Sequence, residues 1–445
     1  MQNYIENYKG KKIGFVGLGI SNLPIIKILS EVAESIVIRD FKDNACKEHE
    51  DFLTKIGARI ITGEDYLKNI DEDVLFLSPA IKQFTPELVK AKNNGVYIST
   101  EMEEFFRFCP CKIIAVTGSD GKTTTTTLIA KLLEMAGKRV HLGGNIGNNL
   151  FAKLGEIESG DFAVVELSSF QLMKMTRSPH IAVITNVSPN HLDWHNSMEE
   201  YIEAKKTIFT HQGKEGKTVL NASNGLTASM ISECNGEVVT FGRECGDYFI
   251  NKDGIYKNGK LVLADGDILI PGAHNRENYA AAIAAVEGFV GKDDITRLAK
   301  TFGGVEHRIE FVRELNGVKY YNSSIDSSPT RTIAALNAFS QKLIVIAGGY
   351  DKNLPTQPLG NVFNEKVKAC VLMGDTMPRI MNTLIEANYK GRVLKAECME
   401  EAVEKATDIA KAGDIIILSP AAASFDKYKN FMERGKHFKS IVNAL

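Results

Sequence analysis

One stretch near residue 120 has the residue types and spacing that bind phosphate groups. Ile113–Thr117 is an apolar, β-branched run, glycines follow at positions 118 and 121, and Lys122 and Thr123 stand where a helix would begin. A glycine turn between a buried strand and a helix points backbone N–H groups and the positive end of the helix dipole toward an anion. The Lys122 ammonium would reach the β- and γ-phosphates of a nucleotide, and the Thr123 hydroxyl would bind Mg²⁺.

This segment lacks one feature of the standard phosphate loop, since Val116 stands where that pattern asks for a glycine. The alternative is a tight strand-to-helix turn that binds nothing. The lysine, the threonine and the flanking elements nevertheless fall in the order that phosphate binding needs. We therefore predict a nucleotide site whose contact residues are Gly118, Ser119, Asp120, Gly121, Lys122, Thr123 and Thr124.

Two further polar residues follow apolar runs that read as strands of the same domain. Glu166 stands at the end of the run Ala163–Leu167, and His191 follows the run Ile181–Val187. A carboxylate at the carboxyl end of a strand, in a sheet that carries a phosphate loop, is well placed to hold Mg²⁺. The alternatives are a surface carboxylate and an ordinary loop histidine, and for His191 the residue type alone favours the loop histidine.

A second glycine turn lies near the start of the chain. Gly17 and Gly19 follow the strand-like run Lys12–Val16, Asn22 takes the place of a third glycine, and Asp40 ends the next strand-like run. This is a dinucleotide-type fingerprint without its last glycine. An NAD-dependent oxidoreductase is therefore an alternative function, although it leaves the phosphate loop unexplained.

Composition limits the class of protein. The 445 residues are 44% hydrophobic and 24% charged, with a formal net charge of −2, which is ordinary for globular domains and does not favour nucleic-acid or membrane-surface binding. The first residues lack an apolar signal segment, and no apolar run is long enough to span a bilayer. We therefore expect a cytoplasmic protein. Its seven cysteines fit reduced thiols, because their number is odd and the chain is long enough to fold without disulfides. Cys109 and Cys111 flank Pro110 too tightly for a usual zinc knuckle.

Short apolar runs alternate with helix-like stretches along the chain, a pattern typical of parallel α/β domains. Helices are expected over Thr123–Ala136 and from Asn275 to about Val290. Between Glu237 and Leu269 the pattern changes to short β runs around Asn258-Gly259, which is a strong hairpin signal. The alternation falls into three blocks, which we assign to domains spanning residues 1–106, 107–304 and 305–445.

Several motifs resemble those of one enzyme family. The segment TGSDGKTTT (117–125) is similar to the TGTNGKTT loop of the Mur ligase and folylpolyglutamate synthetase superfamily, with Asp120 in place of the usual Asn. ELSSFQL (166–172) and the tail ASFDKYKNFMERG (423–435) closely resemble motifs of the Mur ligases that add D-glutamate, and they are the most specific matches. Further matches are GGNIG (143–147), NHLD (190–193), HNREN (274–278) and GGYDK (348–352).

The resemblance spans essentially the whole chain and implies an architecture and a reaction. The first and third domains would be Rossmann-like and would bind a UDP-linked substrate and an amino acid, respectively. The central domain would be a P-loop-type ATPase domain with a parallel sheet and a small β region. The implied reaction is ATP-dependent ligation of D-glutamate to UDP-N-acetylmuramoyl-L-alanine through an acyl phosphate, in peptidoglycan synthesis, by a monomer without nucleic-acid or membrane partners.

The resemblance leaves two alternative functions open. A Mur ligase with a different acceptor amino acid is the nearer one, and the tail motif argues against it. A non-catalytic nucleotide-binding regulator would keep Lys122 but could lose Glu166, His191 and Lys205, all of which are present.

The resemblance also implies catalytic and metal-binding roles. Lys205, in YIEAKK (201–206), aligns with a lysine that Mur ligases carry as a carbamate formed with CO₂, and the anionic carbamate would hold a second Mg²⁺. An ordinary solvated lysine is the alternative by residue type, and Lys206 competes for the assignment. The catalytic set implied is Lys122, Glu166, His191 and Lys205, and the metal set is Thr123, Glu166, His191 and Lys205.

Three ligand sites follow from the same resemblance. Asn275 and Asn278 lie i, i+3 on one helix face and would meet the adenine or ribose of ATP, although Asn275 also fits a helix N-cap. Arg308 would meet an ATP phosphate. The UDP substrate would contact Gly19, Ile20, Ser21, Asp40, Asn145 and His191. D-Glutamate would be held by Ser327, Lys352, Ser424 and Phe431, and Phe431 is equally compatible with a core aromatic.

One segment departs from the family pattern. Many relatives read NDSKATN where this chain has NSSIDSS (322–328), so the usual acid and lysine fall on Ser323 and Ile325. Asp326 and Arg331 occur in the same segment. Arg331 falls in the first turn of a predicted helix, where the helix dipole disfavours a cation that has no anionic partner. We predict that Asp326 and Arg331 replace the missing pair, the alternative being a bland surface arginine.

Overall fold

The computed structural model of the chain describes residues 2–19, 21–146, 148–189 and 194–445. Contacts divide the chain into two units, the first made of 1–265 with 277–298 and the second of 266–276 with 299–445. The first unit contains two sheets and the second contains one. Among the described residues, none of the helices combines the length and the apolar character that a membrane crossing requires.

The first sheet is parallel throughout and has the order β3-β2-β1-β4-β5. The order reverses at β1, and such a reversal opens a crevice for ligands at the carboxyl ends of the strands. The central strands are almost fully buried, as expected when helices cover both faces of a parallel sheet. The strands are β1 (Lys12–Val16), β2 (Ser35–Asp40), β3 (Arg59–Thr62), β4 (Val74–Leu77) and β5 (Tyr97–Ser99).

The second sheet has the order β14-β13-β12-β11-β10-β9-β6-β8-β7. Pairing is parallel from β7 to β12 and antiparallel at the β12–β13 and β13–β14 ladders. The parallel part carries the phosphate loop, which follows β6. Its strands are β6 (Lys112–Thr117), β7 (Val140–Gly144), β8 (Phe162–Glu166), β9 (Ile181–Ile184), β10 (Lys217–Asn221), β11 (Glu237–Arg243), β12 (Tyr248–Ile250), β13 (Gly254–Lys257) and β14 (Lys260–Ala264).

The third sheet lies in the second unit and has the order β15-β16-β20-β17-β18-β19. The β15–β16 pair is antiparallel and the other pairs are parallel. The carboxyl ends of β16, β17 and β20 are therefore neighbours. Its strands are β15 (Glu310–Leu315), β16 (Val318–Asn322), β17 (Leu343–Gly348), β18 (Val367–Met373), β19 (Arg392–Lys395) and β20 (Ile415–Leu418).

The α-helices of the described residues follow the strands in the alternation that the sequence predicts. They are α1 (Gln2–Glu6), α2 (Leu23–Leu29), α3 (Glu50–Lys55), α4 (Pro86–Asn93), α5 (Glu101–Phe108), α6 (Lys122–Met135), α7 (Ser169–Leu172), α8 (Met198–Thr210), α9 (Gly225–Ser229), α10 (Ala273–Ala285), α11 (Lys292–Thr301), α12 (Pro329–Asn337), α13 (Gln357–Lys366), α14 (Met377–Glu386), α15 (Met399–Asp408) and α16 (Phe431–Ala444).

The predicted fold class, mixed α/β with parallel sheets, is confirmed. The predicted hairpin is also present, because β13 and β14 pair antiparallel around Asn258 (φ 50°) and Gly259 (φ 74°). The helix expected from Asn275 begins two residues earlier, at Ala273, and ends at Ala285. Asn275 therefore lies inside the first turn, and its alternative role as the N-cap is wrong.

One apolar core joins the first two sheets. It includes Tyr8 and Phe76 next to the first sheet and Phe151 after β7, whose rings lie 5.7–6.4 Å apart in edge-on or tilted contacts. Burial of such rings removes large apolar surfaces from water. This shared core explains why contacts group the first two sheets in one unit, and the predicted boundary at residue 106 stays a prediction.

Candidate active site

The loop Gly118–Gly121 lies between the end of β6 and the start of α6. Gly121 has a φ of 79°, and a Cβ there would lie 2.3 Å from Oδ1 of Asn278. Conformation and space therefore both require glycine at this position. Thr125 donates its hydroxyl to the same Asn278 oxygen at 3.3 Å. The backbone can thus turn directly into the 14-residue helix α6, whose first N–H groups are available to an anion.

Side chains from the end of β9 hold this loop in shape. The Asp120 N–H donates to Asn186 Oδ1 at 3.0 Å, and the Thr185 hydroxyl donates to the Asp120 carbonyl at 2.6 Å. The Ser119 N–H donates to the Asn186 carbonyl at 2.9 Å. Because the strand stops at Ile184 rather than continuing to Val187 as predicted, these two residues are free to bind the loop instead of a neighbouring strand.

Two lysine ammonium groups converge on the loop. Lys122 Nζ donates to the carbonyls of Gly118 and Ser119 at 2.9 Å each, and Lys205 Nζ donates to the same Gly118 carbonyl at 2.8 Å. Lys205 comes from α8 and is only 1% exposed. Its Nζ also lies 4.5 Å from the centre of the Tyr201 ring, a contact that favours a cation.

The environment of Lys205 disfavours its charged form. Burial, followed by repulsion from the Lys122 ammonium, lowers the pKa of Lys205 to about 7, while the Asp120 carboxylate partly opposes this effect. A large fraction of this amine is therefore neutral near pH 7. The competing residue, Lys206, is instead an ordinary ion-pairing lysine, with 2.8–2.9 Å contacts to the carboxylates of Glu203 and Glu233.

The hydroxyl groups of the loop fall into two sets. The Ser119 hydroxyl donates to the Ser188 carbonyl at 2.9 Å and lies 3.0 Å from the Tyr201 hydroxyl, so it is used within the protein. Thr123 and Thr124 lie in the first turn of α6 and are half-buried. Of the loop residues with hydroxyls, these two threonines remain better suited to a ligand.

Glu166 ends β8 as a buried carboxylate that is 1% exposed. Its Oε1 accepts a 2.7 Å hydrogen bond from Asn145 Nδ2, and its backbone carbonyl accepts one of 2.8 Å from the Asn145 N–H. Among the described residues, Oε2 has no hydrogen-bond partner. A buried carboxylate oxygen left in this state fits a cation ligand. The described residues contain no group of three or more His, Cys, Asp or Glu side chains able to hold a metal.

The first glycine turn, between β1 and α2, is organised by a carboxylate. Asp40, at the end of β2, accepts the Leu18 N–H at 3.0 Å. Asn22 is fully buried and donates to the Gly17 carbonyl at 2.8 Å. Asn22 thus closes the turn where a third glycine would stand in the usual fingerprint, and Asp40 is already engaged with the backbone of the turn.

A loop from β4 lies against this turn and is held by the central domain. A Cβ on Gly19 would be 3.7 Å from the Ser78 hydroxyl oxygen, which is ordinary contact. Lys174, which follows α7, donates to the carbonyls of Ser78 and Pro79 at 2.9 and 2.7 Å. Burial lowers the pKa of Lys174 to about 7. This lysine therefore ties the loop beside the first glycine turn to the central sheet.

Of the residues predicted to contact the UDP substrate, the structure describes only some. The Ser21 carbonyl accepts a 2.6 Å hydrogen bond from Asn149 Nδ2. Ile20 and His191 lie outside the described residues.

The two asparagines predicted for ATP, Asn278 and Asn275, fall in the first and second unit, respectively. Asn275 Nδ2 donates to the Pro271 carbonyl at 2.6 Å.

In the second unit, Ser327 and Lys352 line the same small cavity, which Tyr350 also lines. Lys352 Nζ lies 5.2 Å from the centre of the Phe425 ring, and the Tyr350 and Phe425 rings are 6.0 Å apart in an edge-on arrangement. An exposed cation beside an aromatic face, at the edge of a cavity, is suited to hold a carboxylate.

The other two residues predicted for D-glutamate are placed differently. Ser424 is buried, and its carbonyl accepts the Tyr428 N–H at 2.8 Å. Phe431 begins α16, its carbonyl accepts the Ser324 hydroxyl at 2.8 Å, and its ring lies 5.9 Å from the His307 ring. Neither residue lines the cavity that Ser327 and Lys352 share, so the structure brings together two of the four.

The departing segment directly follows β16 of the third sheet. Asp326 is buried and accepts the Ser419 hydroxyl at 2.8 Å, and burial raises its pKa to about 6. Arg331 is exposed and donates to the Ile325 carbonyl at 3.2 Å. Arg308 is exposed. The replacement of the family's acid and lysine by Asp326 and Arg331 stays a prediction.

Comparison with known proteins decides the family. The model of the Mur ligase middle domain matches residues 116–286, and that of the Mur ligase, glutamate ligase domain matches residues 307–422. The chain belongs to the Mur ligase family. A UDP-N-acetylmuramoylalanine--D-glutamate ligase of Acetivibrio thermocellus is 48% identical, covering 100% of this chain and 99% of its own. One of the same name from Clostridium acetobutylicum is 46% identical, covering 99% and 98%.

Solved Mur ligases share the fold at low identity. The UDP-N-acetylmuramate-alanine ligase of Thermotoga maritima matches with a TM-score of 0.59 and 21% identity, over 98% of this chain and 99% of that one. The MurF ligase of the same organism, solved in complex with ADP, matches with a TM-score of 0.54 and 16% identity, over 100% of both chains. The predicted Mur ligase architecture is thus confirmed at the level of the fold.

This Mur ligase also contains positioning residues to which the sequence analysis assigns no role. Thr185 and Asn186 brace the phosphate loop, and the available signal was two polar residues directly after a buried strand. Arg434 is 2% exposed and donates to the carbonyls of Ala422 and Ala423 at 2.9–3.1 Å. It therefore shapes the cavity beside Lys352, and its signals were its place in the tail motif 423–435 and on an otherwise apolar helix face.

Proposed function

We propose that this chain is an ATP-dependent ligase that joins D-glutamate to UDP-N-acetylmuramoyl-L-alanine in the cytoplasm, as a monomer. The reaction class is carried by one observation, the convergence of Lys122 and Lys205 on the Gly118 carbonyl of a preformed phosphate loop. The choice of substrates is supported by the names of relatives that are 45–48% identical over nearly the full length.

The proposed chemistry has two steps. The alanine carboxylate oxygen attacks the γ-phosphorus of ATP, so a C–O–P bond forms and ADP leaves. The D-glutamate amine then attacks the acyl carbon, the amide bond forms, and inorganic phosphate and a proton are released. In such reactions the protein mainly orients the reactants and neutralises charge, and the Lys122 ammonium at the helix start is suited to both tasks.

Nucleotide binding is assigned to Gly118–Thr124 together with Asn275, Asn278 and Arg308. The support for Asn278 is its position against Gly121 and Thr125, which places an amide at the edge of the loop. The glycine backbone and the dipole of α6 would hold the phosphates.

Two Mg²⁺ sites are assigned to Thr123, Glu166, His191 and carbamylated Lys205. The residues fit the ion, because Glu166 has a buried oxygen without a partner among the described residues and Thr123 lies in the first turn of the phosphate helix. When bound, Mg²⁺ would neutralise phosphate charge. The role of Glu166 in the protein itself is to orient Asn145 through the 2.7 Å hydrogen bond.

Carbamylation of Lys205 is supported by its protonation state. CO₂ combines with a neutral amine and not with an ammonium, and a pKa of about 7 leaves a large neutral fraction at neutral pH. The carbamate would also turn a repelled cation into an anion, which the nearby Lys122 ammonium would stabilise. Lys206 lacks this support because its amine is held charged by two carboxylates.

We assign the two substrate sites to the residues that the sequence predicts for them. UDP-N-acetylmuramoyl-L-alanine is assigned to Gly19, Ile20, Ser21, Asp40, Asn145 and His191. D-Glutamate is assigned to Ser327, Lys352, Ser424 and Phe431, and its best support is the cavity shared by Ser327 and Lys352. A dicarboxylate needs at least one cation and several donors, and Lys352 meets the first condition.

The proposal is tested by an assay of phosphate release and product mass. The purified chain is given ATP, Mg²⁺ and UDP-N-acetylmuramoyl-L-alanine with D-glutamate, L-glutamate, L-lysine, meso-diaminopimelate or L-alanine in parallel. We expect product only with D-glutamate. Preferred use of another amino acid would disprove the assigned acceptor, and absence of ATP turnover with every acceptor would disprove a ligase function.

A further inference from the structure

Two cysteine thiols meet at the junction between the first and the central sheet. Cys109 directly follows α5 and Cys111 directly precedes β6, with Pro110 between them. Their sulfur atoms lie 3.5 Å apart. Cys111 is 2% exposed, whereas Cys109 is partly exposed. A small reagent can therefore reach the Cys109 sulfur directly, whereas the buried Cys111 sulfur reacts only with Cys109.

The two thiols have opposite acidities. The hydrogen bond between the two sulfurs lowers the pKa of Cys109 and raises that of Cys111. Burial opposes the first change and adds to the second, and the Asp161 carboxylate raises both slightly. The thiolate is the reactive form of cysteine, so the more accessible sulfur is also the more reactive one.

We propose that Cys109 and Cys111 form a reversible redox pair in which Cys109 is attacked first and Cys111 resolves it into an intramolecular disulfide. The oxidant is a hydroperoxide. The Cys109 sulfur attacks its terminal oxygen, the O–O bond breaks, and an alcohol or water leaves while Cys109 becomes a sulfenic acid. The Cys111 sulfur then attacks Cys109, the S–O bond breaks, and water leaves. Two thiols and one hydroperoxide thus give one disulfide, one alcohol or water, and one further water.

The geometry makes the second step short. A disulfide bond is about 2.05 Å long, so the sulfurs need to approach by roughly 1.5 Å from their present 3.5 Å. The ring that closes contains only Pro110 between the cysteines, and disulfides in such tight, accessible rings are easily reduced. A dithiol reductant therefore restores the pair, which makes it a reversible modification and not a structural bridge.

Trypsin isolates the pair in one peptide. Cleavage after Arg107 and Lys112 releases Phe108–Lys112, which contains both cysteines. The native protein is treated with hydrogen peroxide, alkylated, digested and analysed by mass spectrometry. We expect this peptide without alkyl groups and two hydrogens lighter, and doubly alkylated after dithiothreitol. The partly exposed Cys245 and Cys398 report general oxidation in the same sample, and their oxidation before that of Phe108–Lys112 would overturn the proposal.

Two variants test the order of attack. In Cys111→Ala, the Cys109 sulfenic acid lacks its resolving partner and should accumulate as a dimedone adduct. In Cys109→Ala, Cys111 should stay reduced because it is buried. Dimedone labelling of Cys111 in the second variant at the rate of Cys109 in the first would overturn the assigned order. Circular dichroism checks whether both variants keep the fold, and ATP turnover provides an independent check because neither thiol belongs to the proposed active site.

Discussion

The two glycine turns of the first unit begin alike and are equipped differently. Each follows a buried parallel strand at the point where a helix starts. The phosphate loop leads into 14 residues of α6 and receives two lysine ammonium groups. The first turn leads into the seven residues of α2, and its Leu18 N–H is already bound by the Asp40 carboxylate.

Because of this difference, the phosphate loop is suited to a reaction and the first turn to binding. The Lys122 ammonium and a long helix dipole favour the build-up of negative charge that phosphoryl transfer requires. A turn whose N–H is satisfied by a carboxylate instead offers shape and a few polar groups. The same strand–turn–helix pattern can thus serve a reaction at one place and substrate binding at the other, and the side chains that arrive from elsewhere decide which.

The largest effect is expected from removing the phosphate-loop cation. Lys122→Ala should lower kcat for ligation by about 10²–10³-fold, because a preorganised charge at the transferring phosphoryl group is lost. The measurement is phosphate release at saturating substrates, with circular dichroism to check the fold. Lys131→Ala on the exposed side of the same helix is the matched control. Turnover near that of the unchanged protein in Lys122→Ala would contradict the phosphate-loop assignment.

The second-largest effect on ligation is expected from removing the Lys205 side chain. Lys205→Ala should lose about 10²-fold in kcat, and added acetate or formate should restore part of it by supplying the missing oxygens. Lys206→Ala is the matched control, since Lys206 pairs with surface glutamates. Equal losses in the two variants, or full activity of the unchanged protein in solution freed of CO₂, would speak against carbamylation.

Glycine substitutions compare the two turns directly. A Cβ at Gly118 would lie 1.9 Å from Thr185 Oγ1 at a φ of 150°, whereas one at Gly19 meets only ordinary contact. Gly118→Ala should therefore lower the free energy of unfolding by about 1–3 kcal/mol, and Gly19→Ala should change it by less than about 0.5 kcal/mol. Gly19→Ala should instead raise KM for the UDP substrate several-fold without changing KM for ATP. The reverse pattern of stability would show that the first turn is the more constrained.

The smallest effect is a change in the pH dependence of stability. The folded-state pKa of Lys174 is about 7, below its ordinary value of 10.5, so the unfolded chain binds more protons in that window. The free energy of unfolding should therefore rise between about pH 7 and pH 10, and the contribution of Lys174 should level off below pH 7, where both states bind the proton. Lys174→Met should reduce this slope by at most about 1.4 kcal/mol per pH unit. Chemical denaturation across this range tests it against Lys131→Met, and identical slopes would refute it.

Local patterns in the sequence predict most of what is local in the structure. The strands Lys12–Val16 and Lys112–Thr117, the start of α6 near Lys122 and the hairpin at Asn258-Gly259 all agree with the observed elements. The reason is physical, since glycine turns, β-branched runs and helix starts act over a few residues. Strands β15 and β19 carry no such pattern, because half of their residues are charged and all of their positions are half-buried or exposed.

Contacts between distant residues could not be predicted in this way. The 87-residue separation between Lys205 and Gly118 gives no local signal, and neither does the bracing of Asp120 by Asn186. Family resemblance singled out Lys205, but only the structure reveals the burial, and next to it the repulsion from Lys122, that lower the pKa of its amine. Of the residues predicted for D-glutamate, Ser327 and Lys352 share a cavity while Phe431 packs against His307, a distinction that depends on side-chain direction.

Lys122 and Lys205 donate to the same Gly118 carbonyl, and the Lys122 ammonium adds to the effect of burial in lowering the pKa of Lys205, so a ligand at Lys122 changes proton binding at Lys205. An anion that reaches Lys122 offsets the repulsion that lowers the pKa of Lys205, so the uncarbamylated amine takes up a proton as nucleotide binds. The binding enthalpy measured without CO₂ near pH 7 should therefore vary with the ionisation enthalpy of the buffer, and Lys205→Met should remove that variation. With Lys205 carbamylated as proposed, nucleotide phosphate and CO₂ would draw one amine toward opposite protonation states, and their order of arrival would determine how fast the active form appears.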